Sequence, residues 1–499
     1  MQSNTLDIGI IGSGFASLSA ACHLAKKGHK VTVIEKNPSI GGRARRMKAD
    51  GFIFDMGPSW YWMPDVFDSW FEQLGRNRSD YYQIKRLGPS YRIFFQDGGY
   101  IDIPTSTEEL IQLFEQEETG AGNALKKFLS EAEEHYRIAV QDIVYRPGFS
   151  PLELVTPDTV TRVGLFLKSI SADVRKRFKS ERLRSILEFP VLFLGAKPDK
   201  TPAFYNFMNY ADLVLGTWYP EGGMFTIVES MQKVAMEFGV EFITDSPVEQ
   251  IRVEQGRATG ILSKGEYYPF DLIVSGADYA HTETLLEPSL RVYSDDYWEK
   301  RTFAPSSLLF YVGLNKKLEN VHHHMLFFDS SFEEHAKAIY DDPQWPENPL
   351  FYANFPSLTD PACAPEGHEA AFFLIPLAPG LEDGDDLREQ HWNIILERLK
   401  KHTGQDIADS VVYKRSYCVN DFIEDYNSYK GNAYGLANTL RQTAFLRPGL
   451  RSKKVKGLYF TGQLTVPGPG VPPSLISGKV VADVIEKDLT KRHRYAAAL

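Results

Sequence analysis

Three short stretches carry residue types whose spacing could do chemistry. In the first, Gly12, Ser13 and Gly14 follow an apolar run, Ile8 to Ile11, and precede a helically spaced one, Phe15 to Lys27. Gly12 permits a tight turn and Gly14 lets backbone approach a pyrophosphate. A helix that begins at Phe15 and Ala16 offers that charge its unpaired N–H groups and its positive dipole end. Glu35, with Lys36 beside it, ends the next apolar run, where a carboxylate accepts hydrogen bonds from ribose hydroxyls. Ser17 stands where a third glycine is usual, and serine is small enough for close helix–strand packing. The alternative is an ordinary strand–helix–strand unit with a glycine turn.

The second stretch holds Gly41, Gly42, Arg43 and Arg45, a glycine pair whose backbone and guanidinium can reach phosphates. Gly57, Pro58 and Ser59 follow, and then the aromatic cluster Trp60, Tyr61, Trp62. Aromatic faces stabilise positive charge, and they also simply fill cores. The third stretch runs from Gly462 and Gln463 through a loop rich in proline and glycine to Val471, Pro472, Pro473 and a helix from Ser474. Such a loop is neither strand nor helix, and two prolines suit a helix entry whose free N–H groups face a ligand.

These stretches need elements to hold them. Ile8–Ile11, Val31–Ile34, Asp271–Val274 and Gly457–Thr461 are expected as short buried strands. Tyr91–Phe95 and Tyr100–Ile103 form an expected hairpin across Asp97, Gly98 and Gly99. Helical patterns cover 107–145, 162–194 and Phe225–Phe238. Val248–Val253 and Ala258–Leu262 are an expected strand pair.

The chain has 499 residues, 43% apolar and 24% charged, with a net charge of −10. That charge argues against a nucleic-acid partner. Neither a secretory signal nor a run of about 20 apolar residues is apparent. Cys22, Cys363 and Cys418 show no metal spacing and suit a reduced cytosolic compartment. Three adjacent histidines, His322 to His324, would point to opposite faces of a strand and are poorly placed for one metal ion.

Glu35 to Arg45, followed by Asp55, Gly57 and Pro58, resembles the flavin-binding signature of amine oxidases, protoporphyrinogen oxidases and carotenoid desaturases. Leu458 to Gln463, Pro467 to Val471, Gly431 to Gly435, Phe445 to Pro448 and Tyr219 to Met224 resemble the bacterial-type phytoene desaturase branch. The resemblance implies an α/β fold. A Rossmann-like FAD-binding domain would be assembled from residues 1–75, 225–295 and 445–499. A mixed α+β substrate-binding and membrane-associating region would be built from 76–224 and 296–444. It implies noncovalent FAD held by Gly12, Ser13, Gly14, Phe15, Ala16, Glu35, Lys36, Gly42, Arg43, Arg45, Gly57, Pro58, Ser59, Val248, Gly462, Gln463, Val471, Pro472 and Ser474.

The activity so implied is desaturation of a long polyene, phytoene towards lycopene, by hydride transfer to flavin N5 and proton loss. Oxygen or a quinone would be the final acceptor. Desaturation of a hydroxylated carotenoid at its 3,4 bond is the alternative, followed by a retinol-saturase-like reductase and an isoprenoid escort. Trp60 and Tyr61 are candidates to stabilise a cation. Asp421, with Glu424 and Asp425, is a candidate proton acceptor, or else a solvated charge. The protein is expected in the cytoplasm, peripheral on the cytoplasmic face of the membrane. The basic run Lys168 to Arg184, next to Phe189–Leu194, is a candidate docking face, or else a solvated helix beside buried apolar residues.

Overall fold

A computed structural model of the chain describes residues 5–155, 168–439 and 441–497. Its first sheet is wholly parallel, with strands in the order Leu458–Phe460, Leu272–Ser275, Asp7–Ile11, Lys30–Ile34 and Glu241–Ile243. Ile8, Ile10, Val33, Ile273 and Val274 are fully buried. That is why these strands are near-continuous apolar runs: both faces are covered. The sheet draws its strands from the start, the middle and the end of the chain, which brings the three stretches to the carboxyl ends of its parallel strands.

The helix Phe15–Lys26 lies between this sheet and the C-terminal helix Val471–Ala497. The two helices touch backbone to backbone at Gly478, where a Cβ would stand 2.3 Å from the Ala16 carbonyl oxygen. Ser19 Oγ donates to Leu475 O at 2.6 Å across the same contact. Ser17, the irregular letter of the glycine motif, packs against Gly276, whose added Cβ would lie 2.0 Å from Ser17 Oγ. The small residue that the motif normally places on the helix has moved to the facing strand end. The Ser17 hydroxyl has no hydrogen-bond partner there, so serine is tolerated for its size.

The second sheet has seven strands in the order 411–417, 306–314, 369–377, 351–354, 324–328, 91–95 and 100–103. All its pairings are antiparallel except 324–328 with 91–95. Its second strand, Ser306–Leu314, is buried along its whole length. A separate three-stranded sheet holds Val248–Glu254, Arg257–Ser263 and Glu266–Pro269, one strand more than expected from the sequence.

Two expected long helices are broken. Residues 107–145 form Thr107–Glu117 and Ala121–Gln141, interrupted at Gly120, whose φ of +87° belongs to the left-handed region. Within 162–194, positions 162–167 lie outside the described residues, and the rest forms Ile170–Arg177, Glu181–Glu188 and a 3-10 turn, Phe189–Leu194. Ser169 and Ser180 each cap the helix that follows by accepting a backbone N–H, so each starts a new helix. Five of the seven basic residues of this run are ion-paired: Arg177 with Glu131 and Asp173, Arg182 with Asp97, Arg175 and Arg184 with Glu181, and Lys168 with Asp173. Phe189, Val191 and Leu194 are buried. Among the described residues no helix is long and apolar enough to cross a membrane.

Candidate functional site

The three stretches meet in one cavity of about 600 Å³ that runs from the first glycine turn to the face of the seven-stranded sheet. At the turn, Gly12 has a φ of +84°, and its N–H donates to Ile34 O at 2.8 Å. Gly14 differs. Its φ of −68° suits any residue, and a Cβ there would meet no protein atom within 4 Å. Nothing in the chain requires glycine at 14; the open space belongs to whatever the helix N-terminus faces. Gly41 and Gly42 (φ +110° and +56°) fold the second glycine turn against it, and a Cβ on Gly42 would stand 3.1 Å from Gly14 Cα. Glu35 braces the cradle, with Oε2 accepting from Ser13 N and Oγ (2.9 and 2.6 Å) and Oε1 from Asn37 N (2.9 Å).

Arg43 enters the cavity wall from the second turn. It is enclosed, and burial lowers its guanidinium while the Asp278 carboxylate opposes that shift. Its Nη2 donates to Ser428 Oγ and to Asn432 O, and Nε has no partner. With the Gln463 amide oxygen turned to face it, Arg43 Nη1 and Nη2 also donate there at 3.3 and 3.0 Å. An unpaired buried guanidinium N–H beside two open glycine turns and a helix N-terminus is a donor set for an anion such as a pyrophosphate. At the third stretch the helix begins at Val471, three residues before the expected start, with both prolines in its first turn. Prolines have no N–H and Ser474 N donates to Gly470 O, so Val471 supplies the free donor at this end.

Beyond the cradle the cavity turns apolar. Leu309, Leu374 and Tyr352 are cross-strand neighbours on one sheet face. Facing them is an aromatic group: Trp60 lies 5.3 Å from Trp62, 5.5 Å from Phe189 and 5.8 Å from Phe193, centroid to centroid. Trp60 also stacks on His324 at 4.1 Å and 10°. Desolvation holds His324 well below the usual histidine range, so its ring is neutral. Tyr352 links the two walls, its hydroxyl 2.6 Å from His324 Nδ1 and donating to Ser59 Oγ at 3.0 Å. Further hydroxyls, those of Ser307, Tyr340 and Tyr434, line the same end.

Of the residues expected at the site from sequence, Gly12 to Ala16, Glu35, Lys36, Gly42, Arg43, Gly57 to Trp60, Val248, Gly462, Gln463, Val471, Pro472 and Ser474 all line this cavity. Three do not. Tyr61 is wholly buried on the opposite side of its strand bridge, stacked on Phe67 at 4.3 Å with its hydroxyl 2.9 Å from that of Tyr82. Asp421 caps the helix Val419–Tyr426, where Oδ2 accepts from Cys418 N at 2.8 Å and from Arg388 Nη2 at 2.7 Å. It is therefore held away from the cavity. Arg45 turns to Asp425 and lies over the Tyr426 ring, so its charge is spent inside the protein. Asp425, that partner, does line the cavity. His322, His323 and His324 go to three different partners, Asp102, Thr359 and Tyr352.

Sequence reading missed Phe189, Phe193 and Tyr352 as cavity walls, because no local spacing marks them. It also missed Asp278, which lies three residues beyond the strand Leu272–Ser275 and caps the helix Tyr279–Thr284 by accepting from Ala280 N at 3.0 Å.

The family model for flavin containing amine oxidoreductase matches residues 15–485. A carotenoid 3,4-desaturase of Haloarcula japonica is 43% identical over 488 residues, covering 97% of this chain and 98% of that one. A zeta-carotene-forming phytoene desaturase of Myxococcus xanthus is 32% identical over 504 residues, covering 98% and 95%. In fold, the chain is similar to a cyclohexylamine oxidase from Brevibacterium oxydans, with a TM-score of 0.59 at 15% identity, covering 97% of this chain and all of that one.

Proposed function

This chain belongs to the flavin-containing amine oxidoreductase family, as an FAD-dependent carotenoid desaturase, and from that premise we propose that it acts on an oxygenated acyclic carotenoid at the 3,4 bond. The observation that carries this reading is the single cavity that passes from a phosphate-type cradle into an apolar, aromatic-walled channel with hydroxyls along it. The relative 43% identical along nearly its whole length supports the 3,4 reaction over that on phytoene, and the polar groups at the apolar end favour an oxygen on the ligand.

The parallel sheet with its glycine turn is Rossmann-like, and residues 1–75, 225–295 and 445–499 form the cofactor-binding domain. Gly12 to Phe15, Glu35, Arg43, Gln463 and Val471 hold the cofactor. FAD, when bound, supplies the acceptor for two electrons and a hydrogen from an allylic carbon. Everything else falls to the protein. The apolar walls exclude water, so that a cation left on the polyene is not captured by it. The faces of Trp60, Trp62, Phe189 and Phe193 stabilise positive charge without offering a nucleophile. Neutral His324, stacked behind Trp60, adds no opposing charge.

Anaerobic incubation of the purified holoprotein with phytoene and with a 1-hydroxylated acyclic carotenoid, both delivered in liposomes, tests the reading. Bleaching of the flavin and a lengthened product chromophore are expected with the hydroxylated polyene and, more slowly, with phytoene. Conversion of neither, by a protein that retains FAD, would refute it.

The substrate dissolves in lipid, and we propose peripheral docking on the cytoplasmic face of the membrane. Phe149, Leu152 (75% exposed) and Val155 project from one loop, and Gly148 of that loop packs on Val466 and Ala444, near exposed Leu446. These side chains support docking better than the ion-paired basic run. Leu152→Asp together with Val155→Asp should reduce co-sedimentation with liposomes several-fold; unchanged sedimentation would remove this surface from consideration.

A further inference from the structure

Ser59 stands in the wall between two cavities. One is the large cavity of the site. The other is a small pocket of about 20 Å³, room for a single water, whose lining mixes polar Asp55, Tyr219, His323 and Asn354 with apolar Phe54, Met224 and Phe372. Among the described residues Ser59 is the one that lines both. Its Oγ accepts from the Tyr352 hydroxyl, and with that bond in place His324 carries its proton on Nδ1 to donate to Tyr352, so that Asn354 Nδ2, 3.3 Å from the same nitrogen, donates to His323 O alone. His324 Nε2 is then an orphan acceptor, which costs less than an orphan N–H. The Ser59 proton is left free to turn to either cavity.

Asp55 lies on the far side of the small pocket. Its Oδ2 accepts from Met224 N at 2.6 Å and its Oδ1 from Phe225 N at 3.0 Å, at the start of the helix Phe225–Glu237. Two of a carboxylate's roughly four acceptor positions are thus in use. Gly223, at φ +89°, yields the space, since its Cβ would stand 2.6 Å from Oδ2. Burial pushes the Asp55 carboxyl up to about 6 against the two backbone N–H bonds. Asp360, half-buried, accepts from Tyr219 OH at 3.2 Å and connects the pocket with the surface.

We propose that Ser59 passes the proton released at each desaturation from the substrate cavity to the small pocket, and that Asp55 receives it. This rests on the carotenoid reading above. After a hydride has left one carbon, the C–H bond on its neighbour breaks and its electron pair becomes the new π bond. The proton goes to Ser59 Oγ as the Ser59 hydroxyl proton moves to a water in the pocket, and that water protonates the Asp55 carboxylate. Asp55 then loses the proton towards Asp360 and solvent, so that one proton leaves with each double bond formed. The same carboxylate could serve only to anchor the helix, and the test separates the two roles.

The experiment uses purified holoprotein and whichever of the two polyenes the wild type converts. Ser59→Ala is expected to lower kcat at least tenfold, with KM and FAD content unchanged, while Ser59→Thr, which keeps the hydroxyl, stays within threefold. In the wild type kcat rises with pH as Asp55 ionises; Asp55→Asn flattens that limb. The groups facing Asp55 are Arg46, Tyr219, Cys363, His323 and Asp360. Asp360 raises the Asp55 carboxyl, so Asp360→Asn should move the limb to lower pH without abolishing it. If Asp55→Asn fails to fold, the Ser59 pair decides. Ser59→Ala within twofold of wild type, equal losses in Ala and Thr, or losses that follow lost FAD would each overturn the proposal. A wild type that converts neither polyene would instead overturn the carotenoid reading.

Discussion

Gly14→Asp is expected to leave a folded protein that no longer binds FAD. Gly14 is the N-cap of the first helix, in extended backbone with φ −68° and ψ 172°, and its side chain would enter open space. Aspartate is among the best N-cap residues and glycine is nearly as good, so the helix itself should be unharmed or stabilised by roughly a few tenths of a kcal/mol. The same carboxylate would occupy the cradle and repel a pyrophosphate at the point where the helix N-terminus now attracts one. Lost space and charge repulsion together should weaken FAD binding at least about 10³-fold, ~4 kcal/mol. Fluorescence titration of the apoprotein measures the affinity, and a thermal melt of the same preparation measures the fold. Affinity within tenfold of wild type would mean that the cofactor does not approach Gly14. Gly14→Ala should show the steric part alone, and a smaller loss.

Gly57→Ala should do the opposite and damage the fold first. An added Cβ would lie 2.1 Å from the carbonyl oxygen of Arg43. That contact is backbone against backbone, with no flexible side chain to give way. Relief requires the strand Phe52–Asp55 to separate from the turn that carries Arg43, although Met56 N donates to Arg45 O at 2.8 Å across that join. A loss of about 3 kcal/mol or more is expected, read as a fall in the urea midpoint of the apoprotein. FAD would be lost as well, because Arg43 is displaced. A Gly57→Ala protein with the wild-type midpoint would show that the close approach can relax. The two substitutions form a pair: one removes the ligand from a sound fold, the other unsettles the fold from which the ligand site hangs.

Asp55 ties these ideas to the proton route. It closes the same strand and holds the start of the helix Phe225–Glu237 by two backbone bonds. For that reason Ser59, which anchors no helix, is the cleaner probe of proton transfer.

Much of the cofactor end was legible in the sequence. Glycine turns, short apolar strands and a carboxylate at a strand end are local patterns, because the conformations they need are set within a few residues. They were enough to name Gly12, Gly14, Glu35, Gly42 and Arg43, all of which line the cavity. Resemblance then added the polyene. What stayed hidden depends on residues distant in the chain. Asp421 and Arg45 carry the right charges for chemistry, yet each is satisfied by a partner that only folding brings near, Arg388 in one case and Asp425 in the other. Tyr61 sits beside Trp60 in sequence and faces away from it, as consecutive residues in extended chain do. The basic run at Lys168–Arg184 looked like a free charged face until its acidic partners came from elsewhere.

By itself, then, the sequence determined where the chain turns tightly and which cofactor chemistry those turns suit, since both are properties of short segments. The sequence already read Gly14 as making room for a pyrophosphate, but it set Gly57 beside the cofactor and gave Gly276 no role. Only the tertiary structure decided that Gly57 leaves room for a neighbouring carbonyl and Gly276 for the serine that broke the motif. The physical reason is that a missing Cβ is explained by what approaches it, and what approaches comes from another part of the chain.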